Sequence, residues 1–310
     1  MIETWQQDLP HGITLSCRAS GERGRPVLMF LHGFPEAAFV WDALLEHFAR
    51  PENGGYRCVA PNLRGYAHSS APAGVENYHA KHLLQDILAL TDAESPSAPL
   101  AALVAHDWGG ALAWGFAHQH AHRLQRLVIV NAPHPATLWR ELQNNPAQQA
   151  ASAYMNFLVR PDAAQLLTDN GHARLFGFFE GMGASASPGT PGAPLGAGWL
   201  TPEIRAQYRA VWDQGIQGGL NYYCASPLRS APAPGADTPA SLSQGATRVD
   251  VPTLVLWAQD DIALLPGLCE GLDAFVPDLK LVPLPQATHW VVHEQPGRVI
   301  AEITGFLNAQ

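Results

Sequence analysis

The stretch that most limits what this chain can become is residues 104–110, VAHDWGG. Residues 100–104 form a small apolar run, and residues 110–120 set alanines and large apolar side chains at helical spacing. Together they predict a buried strand running straight into a helix. A side chain at such a junction stands on a sharp turn, where tight backbone packing calls for small neighbours; Ala105 and Gly109 stand two residues either side of Asp107. This is the pattern of a nucleophile elbow, with a carboxylate where serine is usual. A carboxylate does covalent work mainly by displacing a leaving group from a saturated carbon, which leaves an alkyl ester that water must cleave. Asp also favours helix N-termini, so capping is the competing role for Asp107 on this stretch alone.

The rest of the chain repeats the alternation. Strands are expected at residues 13–18, 27–31 and 56–60, with helices at 39–48 and 78–90; the second helix gathers Leu83, Leu84, Ile87, Leu88 and Leu90 on one face. Residues 127–130 are an all-apolar strand, and 253–257 and 280–282 are further strands. Helices are expected at 265–275 and 298–307. Strands alternating with helices argue for a parallel sheet covered on both faces. The alternation stops between residues 134 and 247, where helical segments occur without strands, interrupted by Gly-, Ala-, Ser- and Pro-rich stretches at 182–198 and 226–245 that read as long loops. The organisation expected is therefore a core of residues 1–133 and 248–310, with a helical cap of residues 134–247 inserted between them. In such a sheet the loops at the carboxyl ends of the strands share one crevice, so Phe34, Asp107, Asp261 and His289 can converge although far apart in sequence.

Composition narrows the partners. A net charge of −9 with no basic run argues against nucleic acid, and small neutral substrates fit better. The first residues lack a basic flank before an apolar stretch, and no apolar run approaches a membrane span, so a soluble cytoplasmic protein without a membrane partner is expected. The four cysteines are too scattered for a zinc site. No metal or cofactor is expected. A homodimer is left open.

The assembled motifs resemble the α/β-hydrolase superfamily and, within it, the soluble epoxide hydrolases. They are HGFPE at 32–36, HDWGG at 106–110, Asp261 after a strand and His289-Trp290 near the end, with nucleophile, acid and histidine in the superfamily's order. The resemblance implies an α/β-hydrolase fold, Asp107 as nucleophile, and His289 oriented by Asp261 as the base for water. It also implies Tyr154 and Tyr223 as cap tyrosines holding the epoxide oxygen, the second within Leu220-Asn221-Tyr222-Tyr223. Backbone N–H groups of Phe34 and Trp108 would form the oxyanion hole, and Trp108 would line the substrate pocket with the two tyrosines. Pro35 is expected to fix the Phe34 loop, a cis bond being open to it. Asp260 competes with Asp261, and His289 must be neutral to accept a proton from water.

Some positions depart from the family pattern: Ala105 replaces the usual glycine, Asn62 and Ala67 replace Asp and Gly, and Cys224 stands where Arg is common. None of these removes a catalytic group. A small apolar epoxide and water are the partners implied. The nearest alternative is a haloalkane dehalogenase with the same triad, although that family commonly carries Asn where Phe34 stands. Haloacetate dehalogenases pair Asp with Arg and a second Arg one turn on, where this chain has Trp108 and Ala111. A non-catalytic binding protein that keeps the hydrolase shell is a third reading, whose mark would be a lost catalytic group. Of the remaining histidines, His32 and His106 are expected to brace loops, His134 to cap or pack, and Trp290 to belong to the core.

Overall fold

The apolar runs become the middle of one twisted sheet. A computed structural model describes residues 1–181, 198–228 and 247–309. Its strands are β1 (Glu3–Asp8), β2 (Thr14–Ser20), β3 (Val27–Leu31), β4 (Arg57–Pro61), β5 (Ala102–His106), β6 (Leu127–Val130), β7 (Thr253–Ala258) and β8 (Leu279–Leu284). They pair in the order β1-β2-β4-β3-β5-β6-β7-β8. β1 and β2 join antiparallel at one edge, and β4 through β8 are parallel. Every residue of β3, β5, β6 and β7 is buried, as expected for strands covered on both faces.

Alternate side chains along each strand feed two separate cores. On one face Phe30, Val104, Val128 and Leu254 meet Leu44, Leu45 and Phe48 of α1 (Asp42–Phe48) and Val299, Ile303 and Phe306 of the last helix, Pro296–Asn308. On the other, Met29, Leu103, Ile129 and Val255 meet α2 (Ala80–Glu94) through Leu83, Leu84, Ile87 and Leu90, and α3 (Asp107–Gln119) through Leu112, Ala113, Phe116 and Ala117. Full burial of each such side chain is worth roughly 1.5–3 kcal/mol.

Between β6 and β7 run α4 (Pro135–Asn144), α5 (Pro146–Ala151), α6 (Tyr154–Leu158), α7 (Ala163–Phe179, broken by non-helical backbone at Asp169 to His172), α8 (Pro202–Trp212) and α9 (Gln217–Ala225). Proline near the first turn starts α4, α5 and α8, where its missing N–H would have had no helical partner. α8 and α9 are fastened to loops at the carboxyl ends of the strands. Trp212 Nε1–H donates to the Pro35 carbonyl at 2.7 Å, and the Tyr222 hydroxyl donates to the Arg64 carbonyl at 2.9 Å. Arg64 is itself held by a buried, two-pronged pair with Asp86 of α2, at 2.7 and 2.6 Å. The long-loop readings at 182–198 and 226–245 lie almost wholly outside the described residues.

One expected helix is absent. Residues 265–275 form two short 3-10 turns, Pro266–Cys269 and Leu272–Ala274. Pro266 supplies no N–H, and Gly271 adopts φ +66°, a left-handed conformation that ends the first turn before a helix can propagate.

Candidate active site

Asp107 occupies the bend between β5 and α3 with φ +50°, a left-handed conformation that non-glycine residues rarely adopt. The bend aims its carboxylate out of the head of the sheet. A Cβ at Gly109 would come within 2.5 Å of the Leu31 carbonyl oxygen, so only glycine permits α3 to start so close to β3. On the neighbouring loop, a Cβ at Gly33 would meet Asp107 Oδ1 at 2.1 Å. That proximity lets the Phe34 N–H donate to Asp107 Oδ1 at 2.7 Å. The Phe34–Pro35 bond is cis.

His289 follows β8 and faces Asp107, with Nε2 3.7 Å from Oδ2. Its Nδ1–H donates to Asp261 Oδ2 at 2.7 Å. Asp260 is exposed, whereas Asp261 is buried and receives the N–H groups of Ala263 and Leu264 on Oδ1, each at 2.9 Å. Burial alone would raise the Asp261 pKa, but the charge and hydrogen bond of His289, with those amides and Asn131, hold it below the usual carboxylate value. For His289 burial acts downward, yet Asp261, then Asp107 and Glu36, outweigh it and push the imidazole up to about 9. Two carboxylates beside the ring favour its imidazolium form while Asp107 keeps its charge.

Tyr154, at the start of α6, and Tyr223, on α9, line one cavity with Asp107, Trp108, Ala111, Pro133, Leu138, Met155 and Leu264. Burial raises both phenol pKa values, and the Asp107 charge adds to the effect, so both hydroxyls keep their protons. Trp108 stands edge-on to Tyr223, with centroids 5.0 Å apart. The adjacent Tyr222 turns away to the Arg64 carbonyl, so only one of the two consecutive tyrosines enters the cavity.

Several residues in and behind this constellation were not singled out from sequence. Asn131, at the carboxyl end of β6 with φ +41°, donates from Nδ2 to Asp261 Oδ2 at 2.9 Å and accepts the Ala258 N–H on Oδ1 at 2.9 Å. Its place immediately after an all-apolar strand is the signal that could have found it. Gln148 of α5 accepts the Leu265 N–H and donates to the Ala263 carbonyl, bracing the Asp261 loop. Glu36 is wholly buried; His106 and His293, which donate to its carboxylate, draw its pKa well below the usual value against the upward pull of burial. His106 also reaches the His289 carbonyl at 2.9 Å, a bracing position. His32 accepts the Leu63 N–H, and His134 accepts the Ala136 N–H at the start of α4. Trp290 is core. Among the described residues no group of His, Cys, Asp and Glu gathers that could hold a metal ion, and no helix is long and apolar enough to cross a membrane.

A family model described as alpha/beta hydrolase fold matches residues 26–296. The chain is 29% identical to the AB hydrolase superfamily protein YfhM of Bacillus subtilis over 97% of its own length and 96% of that protein's. It is 30% identical to Epoxide hydrolase 4 of Mus musculus, covering 96% and 77%. A solved structure from work on novel epoxide hydrolases in metagenomes from hot environments superposes with a TM-score of 0.82 at 34% identity, covering all of both chains. The chain belongs to the α/β-hydrolase family, in the branch that holds these epoxide hydrolases. As a member of that family it is a hydrolase.

Proposed function

We propose that this protein hydrolyses a small apolar epoxide to a vicinal diol through a covalent ester on Asp107. The observation that carries the reading is a carboxylate on a left-handed bend sharing a cavity with two protonated phenols, Tyr223 buried and Tyr154 half-buried. Asp107 attacks one epoxide carbon; that carbon–oxygen bond breaks, and its electrons go to the oxygen. Tyr154 and Tyr223 donate hydrogen bonds to the oxygen as charge develops, and one of them gives up its proton. The second carboxylate oxygen of Asp107 becomes the ester carbonyl, facing the Phe34 N–H that donates to Oδ1 at 2.7 Å, with the Trp108 N–H as the second donor of the proposed oxyanion hole. His289, oriented by Asp261, then removes a proton from water; the hydroxide oxygen adds to the ester carbon, collapse of that intermediate breaks the bond to the alkyl oxygen, and that oxygen takes the proton of the carboxylic acid formed, which returns Asp107 as a carboxylate and releases the diol.

The raised pKa of His289 fits this order of events. While Asp107 is ionised, His289 favours its protonated form. Esterification removes that negative charge from a point 3.7 Å away and lowers the proton affinity of His289; its proton passes by way of solvent to the tyrosine that gave one up, which restores the phenol and frees the base when water must be activated. Asn131, Gln148 and the amides of Ala263 and Leu264 hold Asp261 in place meanwhile. Residues 134–247 serve as the cap, supplying both tyrosines above the nucleophile. A haloalkane dehalogenase would use the same triad, but two phenols suit a developing alkoxide that must be protonated better than a departing halide that need not be.

The test is incubation with aryl and alkyl epoxides, bromoalkanes and fluoroacetate, measuring diol and halide with Asp107→Ala as control. Diol that disappears in Asp107→Ala is expected. Halide without diol assigns the site to dehalogenation, and an alkyl-enzyme that never releases product assigns it to a binding protein.

A further inference from the structure

The helix that carries Tyr223 meets the loop after β4 at a point where neither partner has a side chain. Gly218, in the first turn of α9, and Gly65 touch backbone to backbone. A Cβ at Gly218 would stand 2.3 Å from both the Cα and the carbonyl oxygen of Gly65, and a Cβ at Gly65 would stand 2.8 Å from the Gly218 Cα. Carbon atoms rest about 3.5–4.0 Å apart, so one methyl group on Gly218 requires one of the two backbones to retreat by about 1 Å. The loop is held from its other side. Arg64 is clamped by Asp86, its Nη1 donates to the Asn77 carbonyl at 2.8 Å, and the Gly65 N–H donates to the Ser70 carbonyl at 2.9 Å. α9 reaches this loop through the Tyr222 hydroxyl, which donates to the Arg64 carbonyl at 2.9 Å. A methyl group on Gly218 therefore lifts the helix rather than the loop.

Residues four apart share a face of a helix. Gly218 and Tyr222 form one row, docked on Gly65 and Arg64. Gly219 and Tyr223 form the next row, docked on Phe34: a Cβ at Gly219 would lie 3.1 Å from the Phe34 ring, and the Tyr223 ring stands edge-on to it with centroids 5.3 Å apart at 84°. Phe34 in turn donates its N–H to Asp107. The first row fixes how closely α9 approaches the loop, and the second carries Tyr223 into the cavity that it lines with Asp107.

We propose that Gly218 and Tyr222 are positioning residues for the reaction: by docking on Gly65 and Arg64 they set the distance from the Tyr223 hydroxyl to Asp107. This inference rests on the epoxide hydrolysis proposed above and assigns to these two residues the placement of one of its hydrogen-bond donors. Neither belongs to the described residues that line the cavity, and their influence passes through Tyr223.

The experiment is single-turnover stopped-flow kinetics with styrene oxide, which separates ester formation from ester hydrolysis, in the wild type, Gly218→Ala and Tyr222→Phe, each with and without Tyr223→Phe. Ester formation is expected to slow about 10²-fold in Gly218→Ala and about tenfold in Tyr222→Phe, the scale of a misplacement of about 1 Å, while ester hydrolysis, run by His289 and Asp261, keeps its rate. With the Tyr223 hydroxyl already gone, the same substitutions are expected to slow ester formation by less than about twofold. A general loosening of the fold would slow both steps in both backgrounds. Tyr222→Phe keeps its ring against Tyr66 and Trp108, so it carries the test if Gly218→Ala does not fold. Crystal structures of the same proteins need no substrate and give the distance from the Tyr223 hydroxyl to Asp107, expected to lengthen by about 1 Å in Gly218→Ala and by less in Tyr222→Phe. Rates unmoved by both substitutions, or lowered equally with and without Tyr223→Phe, overturn the positioning role and leave hydrolysis standing. If the wild type turns over no epoxide, hydrolysis falls and the crystal distance decides: lengthened, it upholds the positioning; unchanged, it overturns it.

Discussion

Replacing Asp107 with Asn mimics the loss of charge that esterification would cause, and its effect on His289 can be worked from one distance. With His289 Nε2 3.7 Å from Asp107 Oδ2, Coulomb's law gives about 4.5 kcal/mol at an effective dielectric constant of about 20, and about 1.1 kcal/mol in bulk water. At about 1.36 kcal/mol per pH unit, removing the charge lowers the His289 pKa by between roughly 0.8 and 3.3 units. Starting from about 9, the ring should titrate between about 6 and 8 in Asp107→Asn. NMR titration of the His289 ring C–H, assigned by its disappearance in His289→Gln, measures both midpoints. A midpoint unchanged between wild type and Asp107→Asn would refute the idea that the ester releases the base, because the nearer carboxylate, Asp261, would then be holding the proton alone.

Tyr154→Phe and Tyr223→Phe should each slow ester formation by about 10²-fold, the usual cost of one well-placed donor; stopped-flow fluorescence can follow it, since Trp108 lies against Tyr223. Asn131→Ala removes a donor from ionised Asp261 and strands the buried Ala258 N–H, so urea unfolding should show a loss of about 3 kcal/mol, with a fall in turnover. Stability should also depend on pH through His289. Its folded pKa of about 9 lies above its ordinary 6.5, so the contribution, roughly 3 kcal/mol, is complete below the ordinary value and is lost as the pH rises through the folded one. Unfolding free energies at about pH 6 and about pH 9.5 should differ more in the wild type than in His289→Gln.

The parts of the fold legible in the sequence are those with one physical cause. β3, β5, β6 and β7 are buried on both faces, which forces uninterrupted apolar runs. β1 escaped because it is an edge strand reading ETWQQD, mostly exposed and stabilised by pairing with β2 rather than by an apolar face. Residues 265–275 carried enough leucine and phenylalanine to look helical, but proline and glycine break them into turns. Within the candidate site, Asp107, Asp261 and His289 were legible because each follows a strand at its carboxyl end, where loops converge. Asn131 obeys the same rule and drew no attention because an amide does not announce chemistry. The Glu36–His106–His293 contacts join segments far apart in the chain, and no local pattern records them.

The ester on Asp107 is the step on which all the chemistry depends, and it can be weighed directly. His289→Gln keeps the nucleophile and tyrosines while removing the base, so the protein incubated with styrene oxide should gain the mass of one epoxide, located by peptide mass spectrometry on Asp107. An unmodified protein that still forms diol would contradict the covalent route, and label on any other residue would assign the nucleophile elsewhere.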